Sequence, residues 1–253
     1  MVLLVDIGNS NIVIGLANDN NIEKTFRLKS FTDKTSDEYY ILFNNIVSVK
    51  EIDGVIISSV VPIITSALKK MFETYYNVIP LILGPGVKSG VKLKVDDPKS
   101  VGADIICDCA GAMKYSQECL VIDLGTATKY IYVKNNTFLG LSISPGVVIS
   151  MKALVSSAAL LPNIELVSPK NVLGTNTITC MQSGIIYGAA SEVDGMIDRI
   201  KEEIQNPNVK VLATGGLSKL IAPLCKNEML VVEDLTLDGL LQIYIKNRGW
   251  LCQ

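Results

Sequence analysis

The sequence predicts an α/β protein of two related halves, each with a mixed sheet flanked by helices. Three observations support this. Segments rich in Val and Ile alternate with helical ones along the 253 residues. A strand, turn and strand around Asp6 is repeated around Asp123. Each copy opens its half with antiparallel strands, so neither sheet is expected to be purely parallel.

The first half is predicted to cover residues 1–117. Its opening strand ends near Asp6, Gly8 supplies the turn, and a second apolar run follows. A third strand over 23–28 precedes a helix over 35–49, which Thr35 or Ser36 opens with Glu38 behind it. A strand over 54–59, a helix over 62–75 and a strand over 78–83 complete the regular pattern.

The second half is predicted to cover residues 118–253 and opens with the same plan around Asp123, Gly125 and Thr126. A strand over 137–143 and a helix over 147–161 follow. A helix over 176–205 contains Gly195, where we expect it to break. A strand over 209–213 leads into a Thr-Gly-Gly turn, and a helix over 235–248 closes the half.

Composition excludes several classes of function. The chain has no histidine, so a Ser-His-Asp triad and a histidine-ligated zinc are excluded, and proton transfer must use other side chains. With 23 Lys and Arg against 25 Asp and Glu, no basic footprint indicates a nucleic-acid partner. Six cysteines without a CxxC pair indicate free thiols in a reducing compartment.

Neither a membrane span nor a signal peptide is expected. The longest uncharged stretch, 135–151, contains Pro145 and two glycines and is too short to cross a bilayer. The first residues lack a basic region and reach Asp6 at once. We therefore expect a cytoplasmic protein without a membrane partner.

The two predicted hairpins suggest a phosphate site. The amides of Asn9, Ser10 and Asn11 can point at an anion, and Asp6 can hold a hydrated Mg²⁺ beside phosphate oxygens. A single turn of this composition is equally typical of an ordinary hairpin. Two copies in two halves favour a phosphate held between them, as in actin-like (ribonuclease H-like) and sugar-kinase-like ATPases.

Two more segments have a functional and a structural interpretation. The glycines of Ala213-Thr214-Gly215-Gly216 would let a base or ribose lie against the backbone, or they form a simple strand-to-helix turn. Ser100 is a candidate N-cap that would place Asp104 in the first turns of a helix. There Asp104 is either a partner of the helix dipole or the acceptor of an alcohol proton in phosphoryl transfer.

Taken together, these segments resemble the type III pantothenate kinases, also named Bvg accessory factor-like proteins, along nearly the whole chain. The resemblance rests on short motifs in a fixed order: Asp6-Ile7-Gly8-Asn9-Ser10-Asn11, Thr35-Ser36-Asp37-Glu38-Tyr39, Ser58-Ser59-Val60-Val61-Pro62, Val101-Gly102-Ala103-Asp104, Ile122-Asp123-Leu124-Gly125-Thr126-Ala127-Thr128, Ser144-Pro145-Gly146, Gly174-Thr175-Asn176-Thr177 and Ala213-Thr214-Gly215-Gly216.

The resemblance implies an enzyme that uses ATP to phosphorylate pantothenate to 4′-phosphopantothenate, the first step of coenzyme A synthesis. It implies Asp104 as the catalytic base, Asp123 as the ligand of a monovalent cation (K⁺ or NH₄⁺), and Asp6 facing Mg²⁺. It also implies a homodimer with the active site at the interface. The implied ATP-binding residues are Asp6, Ile7, Gly8, Asn9, Ser10, Asn11, Ile12, Val13 and Thr126, and the substrate-binding positions are Gly102, Ala103, Asp104, Ile105 and Thr177.

The sequence departs from the family pattern at three places. Ile105 stands where an arginine usually follows Gly-Ala-Asp. That arginine would bind the carboxylate of pantothenate, a contact worth about 1.5–3 kcal/mol; Lys88, Arg27 or Lys129 can supply the charge instead. Lys129-Tyr130-Ile131 replaces a threonine, an aromatic residue and an aspartate, and Val95 replaces a tyrosine.

These departures leave two alternatives open. One is a kinase of the same fold that acts on a different small alcohol. The other is a non-catalytic nucleotide-binding regulator. The retained Asp6, Asp104, Asp123 and Thr126 argue against the regulator, because a binding module has little need for a proton acceptor at Asp104.

Overall fold

The structure is a computed structural model that describes residues 1–18, 21–47 and 52–251. The chain divides into two compact units. The first comprises residues 1–114 and 235–253, and the second comprises residues 115–234. The last helix therefore packs in the first unit although it follows the second in the chain. The halves inferred from the internal repeat, 1–117 and 118–253, stay a prediction.

The strands have between 2 and 9 residues and the helices between 4 and 27. The strands are β1 (Val2–Ile7), β2 (Asn11–Asn18), β3 (Asn21–Lys29), β4 (Gly54–Ser59), β5 (Leu81–Ile82), β6 (Lys92–Leu93), β7 (Glu118–Leu124), β8 (Ala127–Lys134), β9 (Thr137–Pro145), β10 (Lys210–Thr214) and β11 (Leu230–Val231). The helices are α1 (Ser36–Ile46), α2 (Pro62–Met71), α3 (Ala103–Ala112), α4 (Val147–Ser157), α5 (Thr177–Glu203), α6 (Ser218–Ile221) and α7 (Leu235–Leu251).

Each unit contains a mixed sheet that opens with the predicted antiparallel strands. In the first unit the order is β3-β2-β1-β4-β5, with β1 and β4 parallel and β1, β2 and β3 antiparallel. In the second unit the order β11-β10-β7-β8-β9 repeats this plan, since β7 is parallel to β10 and antiparallel to β8. The α/β class with mixed sheets is thus confirmed.

Local sequence signals explain where several elements begin. The α1 helix starts in a capping box, in which the Glu38 amide donates to the Thr35 hydroxyl and the Glu38 carboxylate accepts from the Thr35 amide. Asn176 and Thr179 cap α5 in the same reciprocal way. These bonds satisfy backbone groups that a helix start would otherwise leave without partners.

Two sequence predictions about helices are wrong. Ser100 is not the N-cap of α3, because Pro98–Ser100 forms a separate 3₁₀ turn capped by Asp97, and Gly102 takes the N-cap position. The α5 helix does not break at Gly195. Its buried stripe of apolar residues continues from Val193 to Ile197, so core packing outweighs the weak helix propensity of glycine.

In the first unit, α3 and α7 approach each other closely through two glycines. A Cβ on Gly239 of α7 would overlap the carbonyl of Cys107, and one on Gly111 of α3 would overlap the carbonyl of Leu235. Leu237, Leu240 and other α7 residues then pack with Cys107 against the sheet. The position of α3 therefore depends on small residues at this crossing.

Across residues 1–18, 21–47 and 52–251, none of the helices combines the length and apolar character that a bilayer-spanning segment needs. The cysteines at 107, 109, 119, 180 and 225 are free thiols. Cys252 lies outside the described residues.

We expect Gly239→Ala to destabilise the protein by about 1–3 kcal/mol, because the added methyl group forces the two helices apart. Gly195→Ala is the matched control. Nothing lies within 4 Å of a Cβ at Gly195, so alanine should stabilise α5 by up to about 1 kcal/mol. Urea unfolding followed by circular dichroism measures both changes. A G239A protein as stable as the parent would contradict the close crossing.

Candidate active site

The turn between β1 and β2 contains the residues predicted to bind phosphate. The Gly8 amide donates to the Asn11 carbonyl at 2.9 Å and closes the turn. Ser30 braces it, since its hydroxyl donates to the Gly8 carbonyl at 2.6 Å and its amide to the Ser10 carbonyl at 3.0 Å. Asn9, Ser10 and Asn11 are exposed. The hydrogen bonds from Ser30 therefore fix the turn, while residues 9–11 stay accessible to a ligand.

Two residues of the predicted phosphate loop lie in the hydrophobic core. The side chains of Ile7 and Ile12 are fully buried in the core of the first unit. These two residues can therefore contact a phosphate through backbone atoms, while the half-buried Asp6 and Val13 face each other across the hairpin.

Asp6 belongs to a row of side chains that crosses the sheet. It pairs with Val13 on β2, and Val13 pairs with Arg27 on β3. Paired residues point to the same face, and so does Leu4, two residues before Asp6. Because Leu4 packs with Cys107 of α3, the row lies on the face that α3 covers.

Asp104 is the second residue of α3 and lies against its N-cap, Gly102. A Cβ on Gly102 would collide with the Asp104 carboxylate, so this glycine makes room for the acid. The next residue, Ile105, is only 7% exposed. An apolar side chain is therefore buried at the position where the family pattern has arginine.

The pKa of the buried Cys107 thiol is raised by its surroundings. Burial raises its pKa well above the usual value, and the charges of Asp6, Asp108 and Asp104 raise it further. Asp108 accepts a hydrogen bond of 2.6 Å from the Thr236 hydroxyl of α7. The row of Asp6 lies on the sheet face that α3 covers, and Asp104 lies in the first turn of α3, so the first unit places the predicted phosphate loop and the predicted base on the same side of its sheet.

The second hairpin has a different charge pattern. The Gly125 amide donates to the Ala127 carbonyl at 3.2 Å, and Thr126 is exposed at the turn. Asp123 pairs across the strands with Lys129, whose Nζ lies 2.6 Å from Asp123 Oδ2. The carboxylate predicted to bind a monovalent cation therefore carries an ion pair within its own hairpin.

The glycine-rich segment after β10 lies beside Asp123. Thr214 pairs with Asp123 in the parallel ladder. Gly215 adopts φ +89°, in the left-handed region that favours glycine, and a Cβ there would lie 2.6 Å from Asp123 Oδ1. The Ser218 hydroxyl donates to the Gly215 carbonyl at 2.8 Å. The segment predicted to contact the nucleoside and the second hairpin thus form one local structure.

Thr177, predicted to bind substrate, is the exposed first residue of α5.

Sequence reasoning missed Glu192, which accepts hydrogen bonds from Tyr130 at 3.1 Å and from Ser144. Burial, followed by the Glu192 charge, raises the pKa of Tyr130. Glu192 and Tyr130 line a cavity of about 510 Å³ in the second unit. No sequence signal links them because they meet only through folding.

Solved structures have the same fold. The chain is similar to component A of (R)-2-hydroxyglutaryl-CoA dehydratase from Acidaminococcus fermentans, with a TM-score of 0.56 and 14% identity over 100% of this chain and 99% of that one. It is also similar to a ROK family glucokinase from Streptomyces griseus, with a TM-score of 0.50 and 13% identity over 98% and 99% of the two chains. The chain therefore shares the fold of these proteins, as the predicted α/β class with two mixed sheets requires.

Sequence comparison identifies the family within that class. The family model described as type III pantothenate kinase matches residues 2–199. A type III pantothenate kinase from Acholeplasma laidlawii is 43% identical over 98% of this chain and 99% of its own length. A type III pantothenate kinase from Exiguobacterium is 42% identical over 98% of this chain and 100% of its own length. The chain belongs to the type III pantothenate kinase family.

Proposed function

We propose that this protein is a pantothenate kinase that transfers the γ-phosphoryl group of ATP to the primary hydroxyl of pantothenate. The products are 4′-phosphopantothenate and ADP, and the reaction begins coenzyme A synthesis. Family membership over nearly the full length of its relatives supports the activity. The observation that carries the proposal is that the row containing Asp6 lies on the sheet face that α3 covers, with Asp104 in the first turn of α3.

The ATP phosphates are assigned to residues 6–13 and to Thr126. The exposure of residues 9–11 in the first turn and of Thr126 supports this assignment, because backbone N–H groups in tight turns bind anions. Asp6 provides the hard carboxylate oxygen that Mg²⁺ prefers, so it fits a phosphate-bound Mg²⁺. Among the described residues no three His, Cys, Asp or Glu side chains form a metal cluster, and phosphate oxygens would complete the coordination. Bound Mg²⁺ neutralises phosphate charge.

Asp104 is assigned the role of general base. The pantothenate hydroxyl oxygen forms a bond to the γ-phosphorus while the bond from that phosphorus to the oxygen of ADP breaks, and Asp104 takes the hydroxyl proton. Gly102 and Ala103 would contact the substrate at the start of α3, beside the base. Because the reaction needs no covalent intermediate, positioning and charge stabilisation provide most of the acceleration.

Asp104→Asn should lower pantothenate-dependent ADP release by about 10²–10⁴-fold, because the amide cannot accept the proton. The reaction is followed with Mg-ATP in a coupled assay, and ATP affinity is measured by calorimetry to show that the nucleotide still binds. Asp33→Asn, at an exposed site of the same unit, is the control and should be fully active. An unimpaired D104N enzyme would remove Asp104 from the mechanism.

Arg27 is assigned to the carboxylate end of pantothenate. The buried Ile105 cannot provide the positive charge of the usual arginine, and Lys129 is paired with Asp123. Arg27 is exposed and lies in the row of Asp6 and Val13 on the α3 side of the sheet. A bidentate guanidinium suits a carboxylate better than a lysine does.

Arg27→Ala should raise the KM for pantothenate about ten- to hundredfold, which corresponds to the loss of a charge-assisted contact. The control is Lys24→Ala on the same strand, where Lys24 pairs with Leu16 on the other face. Pantothenol, in which a hydroxymethyl group replaces the carboxylate, provides the sharper test. Its KM should be the same for R27A and the parent, and an equal loss with both substrates would contradict the assignment.

A homodimer is proposed on the basis of an apolar surface on the second unit. Its large exposed residues include Leu160, Val172, Leu173 and Ile178, and Leu173 is 84% exposed. Exposed apolar residues concentrated in this part of the chain, 160–178, are typical of a protein interface. Thr177 is next to Ile178 in the chain, so a partner chain on this surface would lie beside it.

Ile178→Glu should convert the dimer into monomers and lower the kinase activity, because a charge is costly in an apolar interface. Light scattering after gel filtration measures the mass. Ile79→Glu changes an equally apolar exposed residue of the first unit and should leave both mass and activity unchanged. A monomeric parent protein, or a dimeric I178E, would contradict this interface.

One observation favours a second candidate, a kinase of the same fold for a different small alcohol. Ile105 presents a buried apolar side chain where a carboxylate-binding residue is expected. Turnover with pantothenol but not with pantothenate would support it. Binding of ATP without turnover of any alcohol would support a nucleotide-binding regulator.

The free thiols of the described cysteines are consistent with a cytoplasmic enzyme.

A further inference from the structure

The carboxylate of Asp123 already has a positive charge against it. Lys129 Nζ lies 2.6 Å from Asp123 Oδ2, and the two side chains are 13% and 14% exposed. On the other side of the carboxylate, a Cβ on Gly125 or Gly215 would lie 3.2 Å or 2.6 Å from Oδ1. The carboxylate is therefore enclosed by its own hairpin, the glycine turn after β10 and the ammonium group.

The strand register fixes this pair. Asp123 and Lys129 are directly paired across β7 and β8, so their side chains leave the same face of the hairpin. Glu118 and Lys134 form an equivalent pair at the other end of the two strands, at 2.8 Å. Lys134 is 47% exposed, so water competes for that pair, whereas the pair at Asp123 is largely shielded.

The residues at Asp123 do not fit a separate monovalent cation. A lysine ammonium is a compact single positive charge with three N–H donors, and it resembles NH₄⁺ in charge and hydrogen bonding. A K⁺ or NH₄⁺ ion would have to displace Lys129 from the carboxylate. That would leave a second, shielded positive charge without its partner, which is costly.

We propose that the Lys129 ammonium takes the place of the monovalent cation at Asp123, so that this enzyme does not require K⁺ or NH₄⁺. The proposal rests on the proposed kinase function and refines it. The positive charge is supplied by the chain itself, beside the Gly125–Thr126 turn assigned to ATP. Whether the enzyme needs K⁺ or NH₄⁺ then depends on the presence of Lys129.

The first test compares the cation response of three proteins. Pantothenate-dependent ADP release is measured with Mg-ATP in tetramethylammonium, sodium, potassium or ammonium chloride at constant ionic strength. The parent rate should change less than twofold among these salts. Lys129→Ala should be at least tenfold slower in tetramethylammonium and should recover at least fivefold in potassium or ammonium. Lys134→Ala, the matched cross-strand control, should behave as the parent does.

A second readout does not depend on activity. The melting temperature of K129A should rise in potassium chloride relative to tetramethylammonium chloride, because the vacated site can bind the ion, and that of the parent should not. Lys129→Gln preserves more of the side-chain volume and replaces K129A if the alanine variant does not fold. It should lose activity in the same way and show a smaller rescue.

The outcomes separate this proposal from the proposed function. A parent enzyme that potassium activates tenfold, or a K129A protein that no cation rescues or stabilises, would overturn the role of Lys129. A parent without pantothenate-dependent turnover in any salt would overturn the kinase proposal instead. In that case the melting temperatures alone decide whether Lys129 occupies the cation position.

Discussion

Both units depend on a carboxylate placed one residue before the end of a strand that turns straight back on itself. Asp6 holds this position on β1 and Asp123 on β7. Antiparallel pairing forces the residue opposite each carboxylate onto the same face. The identity of that opposite residue therefore decides whether a charged side chain faces the carboxylate across the two strands. It is Val13 in the first unit and Lys129 in the second.

The two units therefore differ in the charge placed opposite their carboxylate. In the first unit, burial raises the pKa of the Cys107 thiol, and the charges of Asp6, Asp108 and Asp104 raise it further. Negative charge from these carboxylates attracts cations, as the assignment of Mg²⁺ to Asp6 requires. The second unit instead neutralises its carboxylate internally. The same strand plan therefore holds carboxylates in the first unit and a neutral ion pair in the second.

Local signals predicted much of the fold, and contacts between distant segments account for most of what was missed. The capping box at Thr35 and the glycine turns at Gly8 and Gly125 could be read directly from the chain, because they involve neighbouring residues. Ser100 was misassigned because Asp97 and Pro98 begin a turn of their own. Gly195 was misassigned because propensity is local and the buried stripe of α5 is not.

The candidate site shows the same division. Asp6, Asp104 and Asp123 could be singled out from their motifs, yet the burial of Ile105 depends on tertiary packing that no motif reveals. The ion pair of Asp123 with Lys129 was an exception. The two residues are placed symmetrically about the turn, so hairpin pairing alone could have predicted it. Glu192 could not be found, since Tyr130 and Ser144 reach it only after folding.

The position of α7 has a consequence for how the chain matures. The helix that α3 packs against begins at Leu235, after the whole second unit has been made. On the ribosome, the second unit can complete its own core before α7 is made. Until then, the apolar residues of α3 and the sheet that α7 covers remain exposed. Such an exposed segment is where chaperones bind and where aggregation starts. Because the first unit is discontinuous in the chain, its core is the last part of the protein that can be completed during synthesis.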